Sequence, residues 1–208
     1  MILHLRQAGD WLRRKVRLAL LKDASGAEMV EFVVSLPLII VTVVGVFDFG
    51  SAFVVRQKLS NAALQGARVA SNQPTSDLTN SAGSCSAPAS ICALRDVIDS
   101  TLVDSKLNDC GLSGATATSG STLSWTFTTS GSCPGNLIVT VNRGFTYDVP
   151  TLPSPPFTSG NYRIEGTKVT ISYPYKWEFN KVIGFVAPGA AYASTSQITS
   201  IAVMQNLN

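Results

Sequence analysis

Few side chains in this sequence could carry acid–base, nucleophilic or metal chemistry, and nothing in their spacing makes them converge. His4 is the sole histidine. Cys85, Cys92, Cys110 and Cys133 lack the close CxxC pairs that a structural zinc site uses. Asp48-Phe49-Gly50 spells the magnesium-binding signature of kinases, but no glycine-rich loop, lysine strand or catalytic loop accompanies it, so the match is chance. A nucleophile elbow, a phosphate loop and a carboxylate-rich metal loop are all missing. Asp96, Asp99 and Glu165 read as ordinary surface carboxylates. Neither catalysis nor a cofactor is expected.

What the sequence does contain is a hydrophobic rod. From Phe32 to Val55, 24 residues carry one formal charge, Asp48. At a rise of about 1.5 Å per residue a helix of that length reaches roughly 36 Å, enough to cross a hydrocarbon core of about 30 Å with some tilt. Pro37 would break such a helix in water; in lipid, neighbouring helices and small backbone adjustments can satisfy the carbonyl it frees. The length argues against a buried strand. Glu31 marks one edge of the apolar run, and a carboxylate there is costly without a partner. Asp48 lies near the other edge, where it either reaches the interface or pairs with Arg56 of an adjacent helix.

Charge is distributed to match. The net formal charge of +3 conceals +4 over residues 1–26, where Arg6, Arg13, Arg14, Lys15, Arg17 and Lys22 face only Asp10 and Asp23, and −1 over the remainder. A basic flank beside an apolar span stays in the cytoplasm by the positive-inside rule, which sends the C-terminal portion outward. The basic balance therefore does not point to nucleic acid. Residues 1–22 are weakly amphipathic and suit the anionic inner leaflet. All four cysteines lie beyond the span, and four cysteines in an exported domain read as two disulfides. Three pairings are possible and remain open, with the nearest-neighbour pairing Cys85–Cys92 and Cys110–Cys133 preferred.

The helix is expected to continue from Gln57 to Ser71, with Ala63, Gly66, Ala67 and Ala70 forming a small-residue face that either admits another helix or packs within the chain. Gln73 to Ala89 reads as a loop, Ile91 to Leu107 as an amphipathic helix and Gly111 to Ser121 as turn-like. Alternating strands follow: Leu123-Trp125-Phe127, then Leu137–Val141 and Phe145–Val149 separated by a hairpin-like turn at Asn142-Arg143-Gly144. Pro150 to Pro156 makes a loop, and Pro174 demotes part of the strand Val169–Trp177 to an edge. Ile183–Val186 and Ile198–Met204 close the chain. The fold class is α+β: a long N-terminal helix, then a domain with an amphipathic helix and an antiparallel sheet.

Gly26-Ala27-Glu28-Met29-Val30-Glu31-Phe32, with an apolar helix directly after, resembles the class III signal that prepilin peptidases cut after the glycine. The longer stretch from Gly26 to Ser71 resembles the TadE-like family of the tight-adherence (Tad) pilus system. The resemblance rests on Glu31 followed by an aromatic, Pro37, Asp48-Phe49-Gly50, Arg56 and Gly66-Ala67-Arg68. It implies a pilin-like subunit with a leader over 1–26, a long helix over 27–72 spanning the membrane at about 32–55, and a periplasmic or extracellular domain over 73–208. Processing would involve Gly26, Ala27, Glu31 and Phe32; helix–helix contacts would fall at Pro37, Gly45, Asp48, Gly50, Arg56, Ala63, Gly66 and Ala67. The implied function is that of a pseudopilin or minor pilin in an adhesive pilus, with prepilin peptidase, other pilin-like subunits and the inner-membrane assembly platform as partners. The alternative is a permanently anchored periplasmic scaffold that never enters a filament.

Overall fold

The computed structural model describes residues 24–74, 76–78, 85–121, 123–150, 161–179 and 195–207. The amphipathic leader, the Pro150–Pro156 loop beyond its first residue and the Ile183–Val186 segment lie outside them.

Helix α1 runs unbroken from Ala24 to Asn72 with Pro37 inside it. Its first part, through Phe47, belongs to one compact unit, and the rest of it to a second. Over its described helical part the first unit carries mainly apolar, exposed side chains: Val33, Leu38 and Phe47 are 68%, 71% and 74% exposed. Its hydroxyls turn inward on the helix, Thr42 donating to the Leu38 carbonyl at 2.8 Å and Ser35 to the Phe32 carbonyl at 3.2 Å. That is how polar side chains are satisfied where water is absent.

The second unit is a helix layer on a sheet. Helix α2 (Ala89–Asp104) buries Ile91, Leu94, Ile98 and Leu102, the stripe its periodicity predicts. The sheet is a five-stranded antiparallel meander, β1 (Ala117–Ser121), β2 (Ser124–Thr129), β3 (Leu137–Pro150), β4 (Asn161–Lys176) and β5 (Thr195–Gln205), in that spatial order. Register lines up the inward residues across the strands: Trp125 opposite Val141, Phe127 opposite Val139, Val139 opposite Ile171 and Val141 opposite Val169. These rows form one core with α2 and with Leu59, Ala62, Ala63, Ala67 and Ala70 of α1. The α+β class read from the sequence is the class observed.

Two sequence readings are corrected. Asn142-Arg143-Gly144 is not a turn: β3 passes straight through it, with a bulge between Asn142 and Phe145. The bulge falls where β2 runs out, at the Ser124–Asn142 pair. Asn142 Oδ1 accepts from the Gly144 N–H at 2.9 Å, and a side chain at Gly144 would collide with Leu123. Gly111 to Ser121 is also not all turn, since it holds a short 3-10 helix (Leu112–Gly114) and β1. Pro174 lies inside β4, opposite Gln197 of β5, but beyond the last β3 pair at Ile138–Ser172. Its missing N–H thus costs no bond to β3, and β4 is locally an edge there.

The bulge residue Arg143 is 3% exposed and sends its guanidinium to the end of α1, donating to the carbonyls of Gln73 at 2.9 Å and Pro74 at 3.3 Å. Helix α1 has no basic residue in its last turn, so the cation that complements its C-terminus comes from the sheet. Burial lowers the pKa of Arg143, yet an arginine keeps its proton at any physiological pH.

The small-residue face of α1 is filled from within the chain. A Cβ at Gly66 would meet Ile98 Cδ1 and Cγ1 at 2.8 Å, and Ala63 and Ala67 are fully buried. Gly66→Val should therefore destabilise the folded domain by about 1–3 kcal/mol through overpacking against a fixed helix. Thermal unfolding of the detergent-solubilised chain, followed by circular dichroism, measures it; an unchanged midpoint would mean that α2 yields.

Candidate functional site

Asp48 is the one formal charge in the apolar run of α1 from Phe32 to Val55, and the chain surrounds it with donors. In a run without another charge, a carboxylate is stable only if donors surround it. Asp48 is 6% exposed. Its Oδ1 accepts from the Tyr175 hydroxyl at 3.1 Å and its Oδ2 from the Phe179 backbone N–H at 2.9 Å. Tyr175 also reaches the Asp48 carbonyl at 3.4 Å. Both donors come from the end of β4 and the residues just after it, more than 120 residues along the chain. Burial first, then the bond to and charge of Asp48, push the Tyr175 phenol up to about 12. The hydroxyl therefore remains a donor through the physiological range.

Aromatic rings continue this collar. Trp177 packs edge-on to Tyr175 at 5.0 Å and to Phe49 at 5.3 Å, and its indole N–H donates to Ser196 Oγ at 2.6 Å. Next to it lies an open, mainly apolar groove of about 350 Å³ lined by Phe49, Ala52, Phe53, Arg56, Trp177 and Ile198, with Gln197 and Thr199. Arg56 is exposed, and among the described residues no acidic group pairs with it. Within this chain Asp48 and Arg56 stand eight residues, about 12 Å, apart along α1, and the donors on the Asp48 carboxylate are Tyr175 and Phe179.

Other expected site residues fall in three places. Gly26, Ala27, Glu31, Phe32, Pro37 and Gly45 sit in the first part of α1, where Gly26, Glu31 and Phe32 are exposed. Gly50 has open space around its missing side chain. Ala63, Gly66 and Ala67 are in the core of the second unit. Disulfides join Cys85 to Cys92 and Cys110 to Cys133. The first ties the incoming loop to the opening turns of α2, whose Ser90 N–H and hydroxyl are held by the Asp77 carboxylate. The second links the segment after α2, in which Gly111 adopts φ +77°, to the β2–β3 connection. Sequence reasoning missed Tyr175 and Phe179 as partners of Asp48; the one available signal was the aromatic cluster following β4.

Among the described residues no group of His, Cys, Asp or Glu could hold a metal ion. Asp99 shows instead how a carboxylate behaves without one. Burial, and then the charge of Asp109, raise its pKa, and its Oδ1 has no hydrogen-bond partner. A raised folded pKa means that its contribution to stability is complete below the ordinary value of 3.8 and is lost as pH rises through the folded value. Asp99→Asn should therefore raise the melting temperature at pH 7, and the gain should shrink to nothing below about pH 4. Melting curves at the two pH values test this; an equal gain at both would remove the electrostatic cause.

The geometry describes a class of protein: among the described residues, one helix long and apolar enough to cross a membrane, with none of its most apolar window buried, continuing into a disulfide-bonded α+β domain. Residues 26–68, on that helix, match the family model for TadE-like protein. The match takes in the apolar part, Asp48, Arg56 and the packed small-residue face, and ends before α2. No curated protein and no solved structure matches the chain.

Proposed function

We propose that this protein is a TadE-like pseudopilin or minor pilin, cut after Gly26 and held in the bacterial inner membrane by α1, with its disulfide-bonded domain on the periplasmic side. The reading is carried by the family match over 26–68 falling on a helix whose most apolar window has none of its residues buried. From Glu28 to Asp48 the helix rises about 30 Å, the thickness of a hydrocarbon core. The collar around Asp48 supports an outer boundary there, seven residues short of Val55, the end of the expected 32–55 span. The basic residues of 1–26 then lie on the cytoplasmic side. The amine created at Ala27 would neutralise Glu31, on its own helix or on a neighbour's, and lateral association of the apolar halves would bring subunits together. The partners on this reading are prepilin peptidase, other pilin-like subunits and the membrane assembly platform. No catalytic role is assigned.

The mass of the membrane-extracted chain tests processing, with a product beginning at Ala27 expected and an intact Met1 terminus opposing it. Glu31→Ala should impair pilus assembly while leaving the outer domain folded; normal pili in that variant would remove Glu31 from the mechanism. One observation favours the second reading, a permanently anchored scaffold: Ala63, Gly66 and Ala67 are consumed by the chain's own core and cannot also receive another helix. Shearing cells separates the two, since a filament subunit leaves with the pili and a scaffold stays with membranes.

A further inference from the structure

We infer that the groove beside Trp177 seats an anionic glycerophospholipid, its phosphate on Arg56 and its ester and upper acyl region against Phe49, Phe53 and Trp177. The inference rests on the membrane reading above and adds a specific ligand to it. Phe49 and Phe53 are 68% and 60% exposed although both lie in the folded unit, so that unit leaves them for something apolar. The same groove holds a cation without an acidic partner among the described residues. An apolar wall ending in one unpaired guanidinium complements an acyl chain ending in a phosphate, which arginine can hold by two parallel N–H bonds.

The spacing agrees. With the hydrocarbon boundary at Asp48, Arg56 stands eight residues, or about 12 Å, further along the helix. The headgroup layer is roughly 5–8 Å deep on each side, and arginine bends its head back along an apolar stem to reach such a layer. Phe49 and Trp177, nearest Asp48, occupy the level at which amphipathic rings settle in a bilayer. A zwitterionic lipid would bring its ammonium to a groove whose described lining supplies a cation and no carboxylate, so charge selects the anionic lipid. Glu178, next to Trp177, already has a partner of its own.

The test uses the full chain in phosphatidylcholine nanodiscs containing a minor fraction of either phosphatidylglycerol or phosphatidylcholine brominated on the upper acyl chain. Trp177 emission is isolated by difference against Trp177→Phe. Brominated phosphatidylglycerol should quench Trp177 with about tenfold preference over brominated phosphatidylcholine, the effect of one charge-assisted contact. Arg56→Gln should abolish the preference, and Arg56→Lys should retain part of it. Equal quenching by both lipids, or a preference unchanged in Arg56→Gln, overturns the inference. A Trp177 silent to every brominated lipid in an inserted chain overturns it too, and shows that protein covers the groove. A chain that stays out of the nanodiscs defeats the membrane reading itself. Arg56 is exposed, and an unaltered circular dichroism spectrum confirms that its variants fold.

Discussion

Replacing Cys110 and Cys133 together by serine should cost the outer domain about 3 kcal/mol, because the bridge closes a loop with a sequence separation of 23. The bond restricts the unfolded chain, and a loop of that length loses more freedom on closure than the seven-residue separation of Cys85–Cys92, for which about 2.5 kcal/mol is expected. The longer bridge is also part of the helix–sheet core, with Cys110 fully buried in it and Cys133 packed against it. Cys110 takes a positive φ, its carbonyl accepts from Thr129 Oγ1 at 2.6 Å, and Asn108 Nδ2 donates to Ser132 Oγ at 2.8 Å across the same junction. Denaturant unfolding of the wild-type chain, the Cys110→Ser/Cys133→Ser variant and the Cys85→Ser/Cys92→Ser variant measures both terms. If the shorter bridge proved the more important, loop closure would not be the operative cause.

Removing the Asp48 carboxylate should have an effect of similar size through a different mechanism. Asp48→Ala leaves the Tyr175 hydroxyl and the Phe179 N–H without their acceptor, and hydrogen bonds to a charged group contribute about 1.5–3 kcal/mol each. A loss of about 3 kcal/mol would lower the melting temperature by roughly 10 °C in a domain of this size. Tyr175→Phe isolates the pair: the coupling in the Asp48→Ala/Tyr175→Phe cycle should be at least about 1.5 kcal/mol. A second readout is independent of stability. The phenol at about 12 should fall in Asp48→Asn but stay above 10, because burial is the larger cause and persists. A phenol whose folded pKa is raised contributes stability in full below about pH 10, and that contribution is lost as pH rises through 12. Ultraviolet titration, with Tyr175→Phe subtracted, follows both changes. No coupling and no change in titration would sink the collar as an energetic unit.

Much of this molecule could be read locally. The apolar run of α1, the stripe of α2 and the alternation of Trp125 with Phe127 or Val169 with Ile171 are periodic signals, and each element formed where its period placed it. The same local logic failed at Asn142-Arg143-Gly144. An Asn two residues before a Gly suits a turn and a bulge alike, and only the end of β2 at Ser124 decides between them. Arg143 could not be recognised as a helix-end cation either, since Gln73 and Pro74 are some 70 residues away in sequence.

The sequence by itself determined that this chain has a lipid-compatible helix followed by an α+β domain. Hydrophobic periodicity and length suffice for that, and they act between near neighbours. The tertiary structure alone decided that the small-residue face would be spent inside the domain and that Asp48 would meet Tyr175 and Phe179. It alone opened the groove beside Trp177. Those outcomes depend on which distant segments pack together, and a buried carboxylate takes whichever donors the packing brings within about 3 Å.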